Sequence, residues 1–218
     1  MPASPRSRLK RLNEMPDMKI ILPLLALVLI SPPVWSQEEL PRAEAVKFAA
    51  LLNFDLDKLA DTPIPTDADT KRPFGLKAEK RGALAVPEAK LSAATFTGAG
   101  RQAASVGQLW LAGLVPAKDG QAVARDQLKL VTIEHEGNQV SLPLCVLGVR
   151  KGAGDRLELL VFGKGKEALL VEPLKPVTRE QQAPLELRVE REGEAAARLT
   201  LSLVGKYEAS FLVKTASE

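Results

Sequence analysis

One histidine, one cysteine and a few closely spaced carboxylates are the side chains in this 218-residue chain whose types could do chemistry. His135 closes an apolar-alternating run, Leu128–Glu134, just before Glu136-Gly137-Asn138. A zinc centre needs several His, Cys or carboxylate ligands together, and Cys145 is the sole thiol that could join this His. Ser105, in Ala103-Ala104-Ser105-Val106-Gly107, loosely echoes the G-x-S-x-G nucleophile elbow. That elbow works at a strand–turn–helix junction of a parallel α/β sheet, a context this sequence lacks. Cys145 lies within Leu142-Pro143-Leu144-Cys145-Val146-Leu147 and reads as a small buried apolar residue. A reactive thiol there would need a base beside it.

Asn53, Asp55 and Asp57 have the alternate spacing of calcium-loop oxygens, and Asp67 and Asp69 follow nearby. The rest of such a loop is wrong: Lys58 stands where glycine makes the sharp turn, and Ile64 where a bidentate glutamate closes the site. Gly163-Lys164-Gly165-Lys166 joins two apolar runs and is not a phosphate-binding P-loop. Gly98-Ala99-Gly100 has no dinucleotide-binding unit after it. The sequence therefore predicts no catalytic, cofactor-binding or metal-binding residues. Trp110, between Leu109 and Leu111, carries two readings, a core residue or an outward-facing surface contact. Tryptophan is favoured at recognition surfaces, so it is the candidate contact residue.

The elements that must position these residues are mostly strands. Residues 38–60 predict a helix with Pro41 at its start and Phe48, Leu52, Leu56 and Leu59 as its apolar stripe. Residues 61–75, rich in proline, predict a linker or surface-hugging loop. Beyond about Ala83 the apolar period falls to two. The runs are separated by Gly-containing joints such as Gly137-Asn138, Gly152–Asp155 and Gly193, suited to tight hairpins. About eight such strands are too many for one flat sheet with a wet face. They predict an all-β fold, an antiparallel β-sandwich or partly closed barrel. Residues 173–184 are too long for a tight hairpin and predict a crossing between sheets. The expected organisation is 1–36 leader, 37–75 helix and linker, and 76–218 β-sandwich.

The leader reading rests on Ile20–Ile30, an apolar run after Arg6, Arg8, Lys10, Arg11 and Lys19. As a helix it would reach roughly 16 Å, against about 30 Å of hydrocarbon core. It therefore predicts an export signal cleaved between Ser36 and Gln37, with no stable membrane span after processing. Translation could begin at Met1, Met15 or Met18. The chain has 30 Lys+Arg and 27 Asp+Glu. Residues 1–36 hold five and two of these, leaving 25 of each and a neutral mature domain. Such a balance gives no footprint for nucleic acid or a polybasic membrane patch. One cysteine allows no internal disulfide, so the core alone must hold the fold.

The expectation is an exported, non-catalytic β-domain, periplasmic or extracellular, that binds or scaffolds an unknown protein or envelope component. Two alternatives stay open. One is a secreted hydrolase using carboxylates or calcium, which requires acidic residues converging in one cleft. The other is a carrier of an apolar ligand within a barrel, which requires an internal cavity where a solid sandwich has none.

Overall fold

A computed structural model describes residues 37–54, 62–78, 80–135 and 137–216. The predicted leader, Ser36 included, lies outside them, as do Asp55, Leu56, Asp57 and Leu59.

The fold is an antiparallel two-sheet sandwich. The first sheet contains β1 (Glu38–Glu39), β2 (Phe74–Ala78), β3 (Arg81–Pro87), β4 (Ala104–Ala112), β7 (Lys129–His135), β8 (Asn138–Lys151), β9 (Leu157–Phe162) and β10 (Ala168–Pro173). Its order is β1-β2-β3-β4-β8-β9-β10, with β7 paired to the first half of β8. The second sheet contains β5 (Leu114–Lys118), β6 (Gln121–Ala122), β11 (Lys175–Pro176), β12 (Leu185–Arg191), β13 (Ala196–Leu203) and β14 (Tyr207–Thr215), in the order β12-β13-β14-β5-β6 with β11 on β14. The period-two pattern sets which side chains meet. Leu109, Cys145, Leu147 and Leu159 of one sheet pack with Leu199, Leu201 and Phe211 of the other in a single core.

The chain changes sheets three times, once through residues 123–128 between β6 and β7 and twice at single-residue joints. Gly113, between β4 and β5, has φ 63°, and a Cβ there would stand 2.9 Å from the Lys80 carbonyl oxygen. Only glycine accepts both the left-handed backbone and that approach. The second joint is Leu174, within the predicted crossing segment, where β10 of one sheet gives way to β11 of the other. Gln181 ties the remainder of that segment down. Its Nε2 donates to the Ala183 and Ser202 carbonyls at 2.6 and 2.9 Å, and its Oε1 accepts from the Gly205 amide.

The outer faces of the two sheets differ. That of the second sheet is polar: Thr200 and Ser210 hydroxyls meet at 2.8 Å, and Ser202 donates to Glu208 at 2.9 Å. Thr200 and Ser202 are themselves buried, and these cross-strand hydrogen bonds satisfy their hydroxyls. The outer face of the first sheet is apolar and covered. Helix α1 (Arg42–Phe54) lays Ala45, Ala49 and Leu52 over Leu84, Trp110 and Leu144. Farther along, Ile64 packs on Val146, Leu160 and Phe162. This explains the unbroken apolar run Leu144–Val149, all of it buried, Gly148 included: a strand covered on both sides has no polar side to show.

Several expectations need correction. The helix occupies 42–54 within the predicted 38–60, and residues 38–39 form a strand instead. Its buried stripe is Ala45, Ala49 and Leu52 at i, i+4 and i+7, and the two alanines allow close approach to the sheet. The predicted boundary at 75/76 falls inside β2, so the end of the supposed linker already belongs to the first sheet. Fourteen strands stand among the described residues where about eight were expected; three of the six extra, β1, β6 and β11, are only two residues long. A short helix, α2 (Ala93–Thr97), drives Phe96 into the core, where its ring lies 4.8 Å from that of Tyr207.

Candidate binding site

The site is built on β4. Because the pattern alternates, Leu109 and Leu111 enter the sandwich core while Gln108 and Trp110 point to the outer face. Trp110 is nevertheless only 2% exposed, which overturns its reading as a surface contact. It is instead a core residue of the second apolar cluster, pointing away from the inter-sheet core and covered by α1. The indole Nε1–H donates to Gln108 Oε1 at 3.1 Å, which satisfies the polar edge of a buried ring.

Helix α1 does not seal this face completely. Between it and the sheet runs a slot of about 340 Å3. Phe48 and Leu52 form its helical wall, Leu84 and Trp110 its floor, and Val140 and Leu142 of β8 its far lip. This size falls within the roughly 300–1,000 Å3 of small-molecule sites, and a mainly apolar lining with few polar groups is typical of them. The charged groups sit at the rim: Glu44 in the first turn of α1, and Lys77, Lys80 and Arg81 around the β2–β3 turn. Lys77 Nζ is 3.7 Å from Glu38 Oε2. Lys80 and Arg81 also line a second, larger cleft of about 660 Å3, with Arg125, Leu128, Ser141 and Thr215.

The structure scatters the other sequence candidates. Ser105 pairs through the first sheet with Gly148 of β8, whereas His135 pairs with Asn138 of the same strand. Ten residues of extended chain separate these positions by about 33 Å, far beyond proton-transfer reach. The Ser105 hydroxyl instead donates to Glu88 Oε2 at 2.6 Å. Glu88 also accepts from the Thr66 hydroxyl at 3.1 Å and the Asp67 amide at 2.5 Å, so this carboxylate anchors the 62–69 segment to the sheet. The sequence reading missed it, since nothing in Val86-Pro87-Glu88 marks a clasp. Asp69 is engaged by Arg72 Nε at 2.6 Å and by the Lys71 amide at 2.9 Å. Burial pushes its carboxyl upward, but these two hydrogen bonds outweigh it and hold the group below the ordinary aspartate range. Asn53 donates back to the Ala49 carbonyl at 2.9 Å, within its own helix. Among the described residues, no three His, Cys, Asp or Glu side chains come together as a metal-ligand group.

Cys145 is fully buried in the sandwich core, and burial pushes its thiol up to about 12. The neutral thiol is thus favoured by folding. Stability from this group is complete below the unfolded value near 9 and falls as pH rises toward 12. The expected slope across that window is about 1.4 kcal/mol per pH unit. Urea titrations at pH 9, 10 and 11 should show a steeper loss for the native chain than for Cys145→Ala. Equal losses would refute the assignment.

No family model, curated protein or solved structure matches this chain.

Proposed function

We propose that this is an exported, non-catalytic β-sandwich that works by binding, with the slot beneath α1 as its contact site in the periplasm or cell envelope. The observation that carries this reading is an apolar slot held open between a helix and an already covered sheet face. A helix serving only as a cover would have its apolar face filled by the sheet side chains, because interiors pack to crystal-like density. The free sheet edges make poorer docking sites. Edge strand β12 alternates Glu186, Arg188 and Glu190, and the Gln37 side chain bonds its Val189 carbonyl at 2.6 Å. Edge strand β10 carries a register shift between Ala168 and Leu170 and ends in Pro173. Charge, bulges and proline are the means by which edges resist strand addition.

Two experiments test the proposal. Edman sequencing of the protein recovered outside the cytoplasm should read Gln37 as the first residue; an intact segment 1–36 on that protein would contradict export by cleavage. Nile red, an uncharged apolar dye, should bind the full chain saturably at one site. Val140→Asp places a charge on the exposed lip and should weaken that binding about tenfold, the cost of leaving roughly 1.4 kcal/mol unmatched. Absence of saturable binding by the native chain, or unchanged binding by Val140→Asp, would refute the slot.

A further inference from the structure

The first sheet is forked, and the fork deepens the proposed function, on which the following rests. Strands β4 and β8 pair from Ala104↔Val149 to Trp110↔Leu144 and then part. The next residue of β8 is Pro143, which has no N–H with which to extend the ladder. β4 keeps β3 on its other side as far as Ala112 and leaves for the second sheet at Gly113. Residues 139–142 of β8 therefore pair with β7 on one edge and, among the described residues, with nothing on the other.

Alternation along β8 decides which backbone groups face that open edge. The Lys151 amide donates toward the β4 side, to the Gly100 carbonyl at 2.7 Å, and the Gly152 amide toward the β9 side, to the Arg156 carbonyl at 2.8 Å. β8 pairs with β7 and β9 without a register shift, so its odd-numbered residues turn N–H and C=O to the β4 side. At the open edge these are Gln139 and Ser141, both exposed. The stretch Gln139-Val140-Ser141-Leu142 carries neither charge nor bulge, unlike the outer edges β12 and β10. The two faces of the gap are the two spaces already described. Val140 and Leu142 line the slot, Ser141 and Pro143 line the larger cleft, and Lys80 and Arg81 line both from across the gap.

We propose that this gap takes one extended polypeptide segment of a partner as an added strand, with apolar side chains at every second position. The segment continues the ladder of β8 in the place that β4 vacates, bonding to the Gln139 and Ser141 backbone. Side chains alternate across a strand, so every second one enters the apolar slot beside Val140 and Leu142, and the others meet the more polar cleft. Backbone pairing supplies affinity, and the slot supplies the preference for alternate apolar residues. A second copy of this chain is the poorer occupant, because its β8 would bring its own β7 into the space where Lys80 and Arg81 stand.

The test titrates the full chain with a blocked seven-residue peptide of alternating threonine and valine, read by anisotropy of a label on the peptide and by displacement of Nile red. The peptide should bind saturably and displace the dye. Its N–H groups alternate between its two edges, so methylating the valine nitrogens blocks one edge and methylating the threonine nitrogens the other. One methylated peptide should bind about tenfold or more weakly than the other, because only one edge meets β8. Equal binding by the two would overturn the added strand. Ser141→Pro removes the outward N–H without removing a bond to β7, and should weaken peptide binding about tenfold or more while Nile red binding stays within about twofold. Ser141→Ala loses the same hydroxyl contact with Thr132 but keeps that N–H, and should bind the peptide as the native chain does. Unchanged peptide binding by Ser141→Pro would overturn the assignment, and a native dimer that Ser141→Pro dissociates would give the edge to a second copy instead. Nile red binding without peptide binding would overturn the added strand and leave the proposed function standing. Failure of both to bind would overturn both.

Discussion

Gly107→Ala should unfold or severely destabilise this protein, by about 4 kcal/mol or more. Gly107 has φ 147°, a conformation that side-chain-bearing residues rarely adopt. It also follows the register shift between Ser105 and Gly107, where β4 bulges against β8. A Cβ at this position would lie 2.4 Å from the Val86 carbonyl oxygen and 3.0 Å from Pro87 Cα. Both belong to the end of β3, where Val86 and Pro87 pair with Gln108 and Gly107 of β4 and the Pro87 carbonyl accepts from the Asp69 amide at 2.8 Å, so neither can move without disturbing these bonds. Leu185 Cδ2 of the opposing sheet lies 3.2 Å away and closes the remaining direction. The contrast is Gly120→Ala: that glycine also has a positive φ, but open space surrounds the added methyl. Its cost should stay near the roughly 1 kcal/mol of a left-handed alanine. Chemical denaturation of the two variants beside the native chain checks the pair. Similar midpoints for Gly107→Ala and Gly120→Ala would refute the close approach of β3 and β4.

Trp110→Ala should cost about 3–5 kcal/mol, the usual range for deleting a large buried aromatic. Two losses add here. The ring is the floor on which α1 rests, with Ala45, Ala49, Leu52 and Leu84 in the same cluster. Its removal also withdraws the donor from Gln108 Oε1, a side chain only 2% exposed. The structure localises the damage: α1 and its cluster lose their support, whereas the inter-sheet core, to which Trp110 does not belong, keeps its contacts. Hydrogen exchange should therefore show the amides of α1 losing protection well before those of β13 and β14. A uniform loss across both would show that the helix is not a separable cover. Trp110→Phe, which retains most of the apolar volume but not the indole donor, separates the packing loss from the hydrogen-bond loss.

How much of this could be read from the sequence follows from where each signal is local. Alternation in Leu185–Glu190 and Leu199–Leu203 is local and strong, and both strands stand where it put them, as β12 and β13. The same holds for the two-sheet outcome, which follows from too many half-apolar strands for one layer. Trp110 shows the limit. Period-two alternation told correctly that it points away from Leu109 and Leu111, but not that a helix more than fifty residues earlier would lie over it. That is a tertiary fact with no local trace. The β2–β3 hairpin was hidden for another reason: the sequence between Ala78 and Arg81 lacks the glycine or asparagine that marks such joints, and proline-rich sequence precedes it. Ser105 and His135 are a different case. Neither is catalytic in the sequence reading, which sets Ser105 aside for want of a strand–turn–helix junction; the register on β8 adds how far apart the two stand. Glu88 and the lip residues Val140 and Leu142 became legible only once the strands were paired.

The central claim is that ligands enter the slot between α1 and the first sheet, and the Trp110 indole N–H reports on it directly. In 15N-labelled protein carrying Trp35→Phe, one indole cross-peak should be visible, because one tryptophan remains. Titration with dodecanol should shift that cross-peak saturably, together with the amides of Phe48, Leu52 and Leu142, while those of β13 stay in place. An indole signal that does not move while dodecanol binds, or shifts confined to the β12 or β10 edges, would contradict the account.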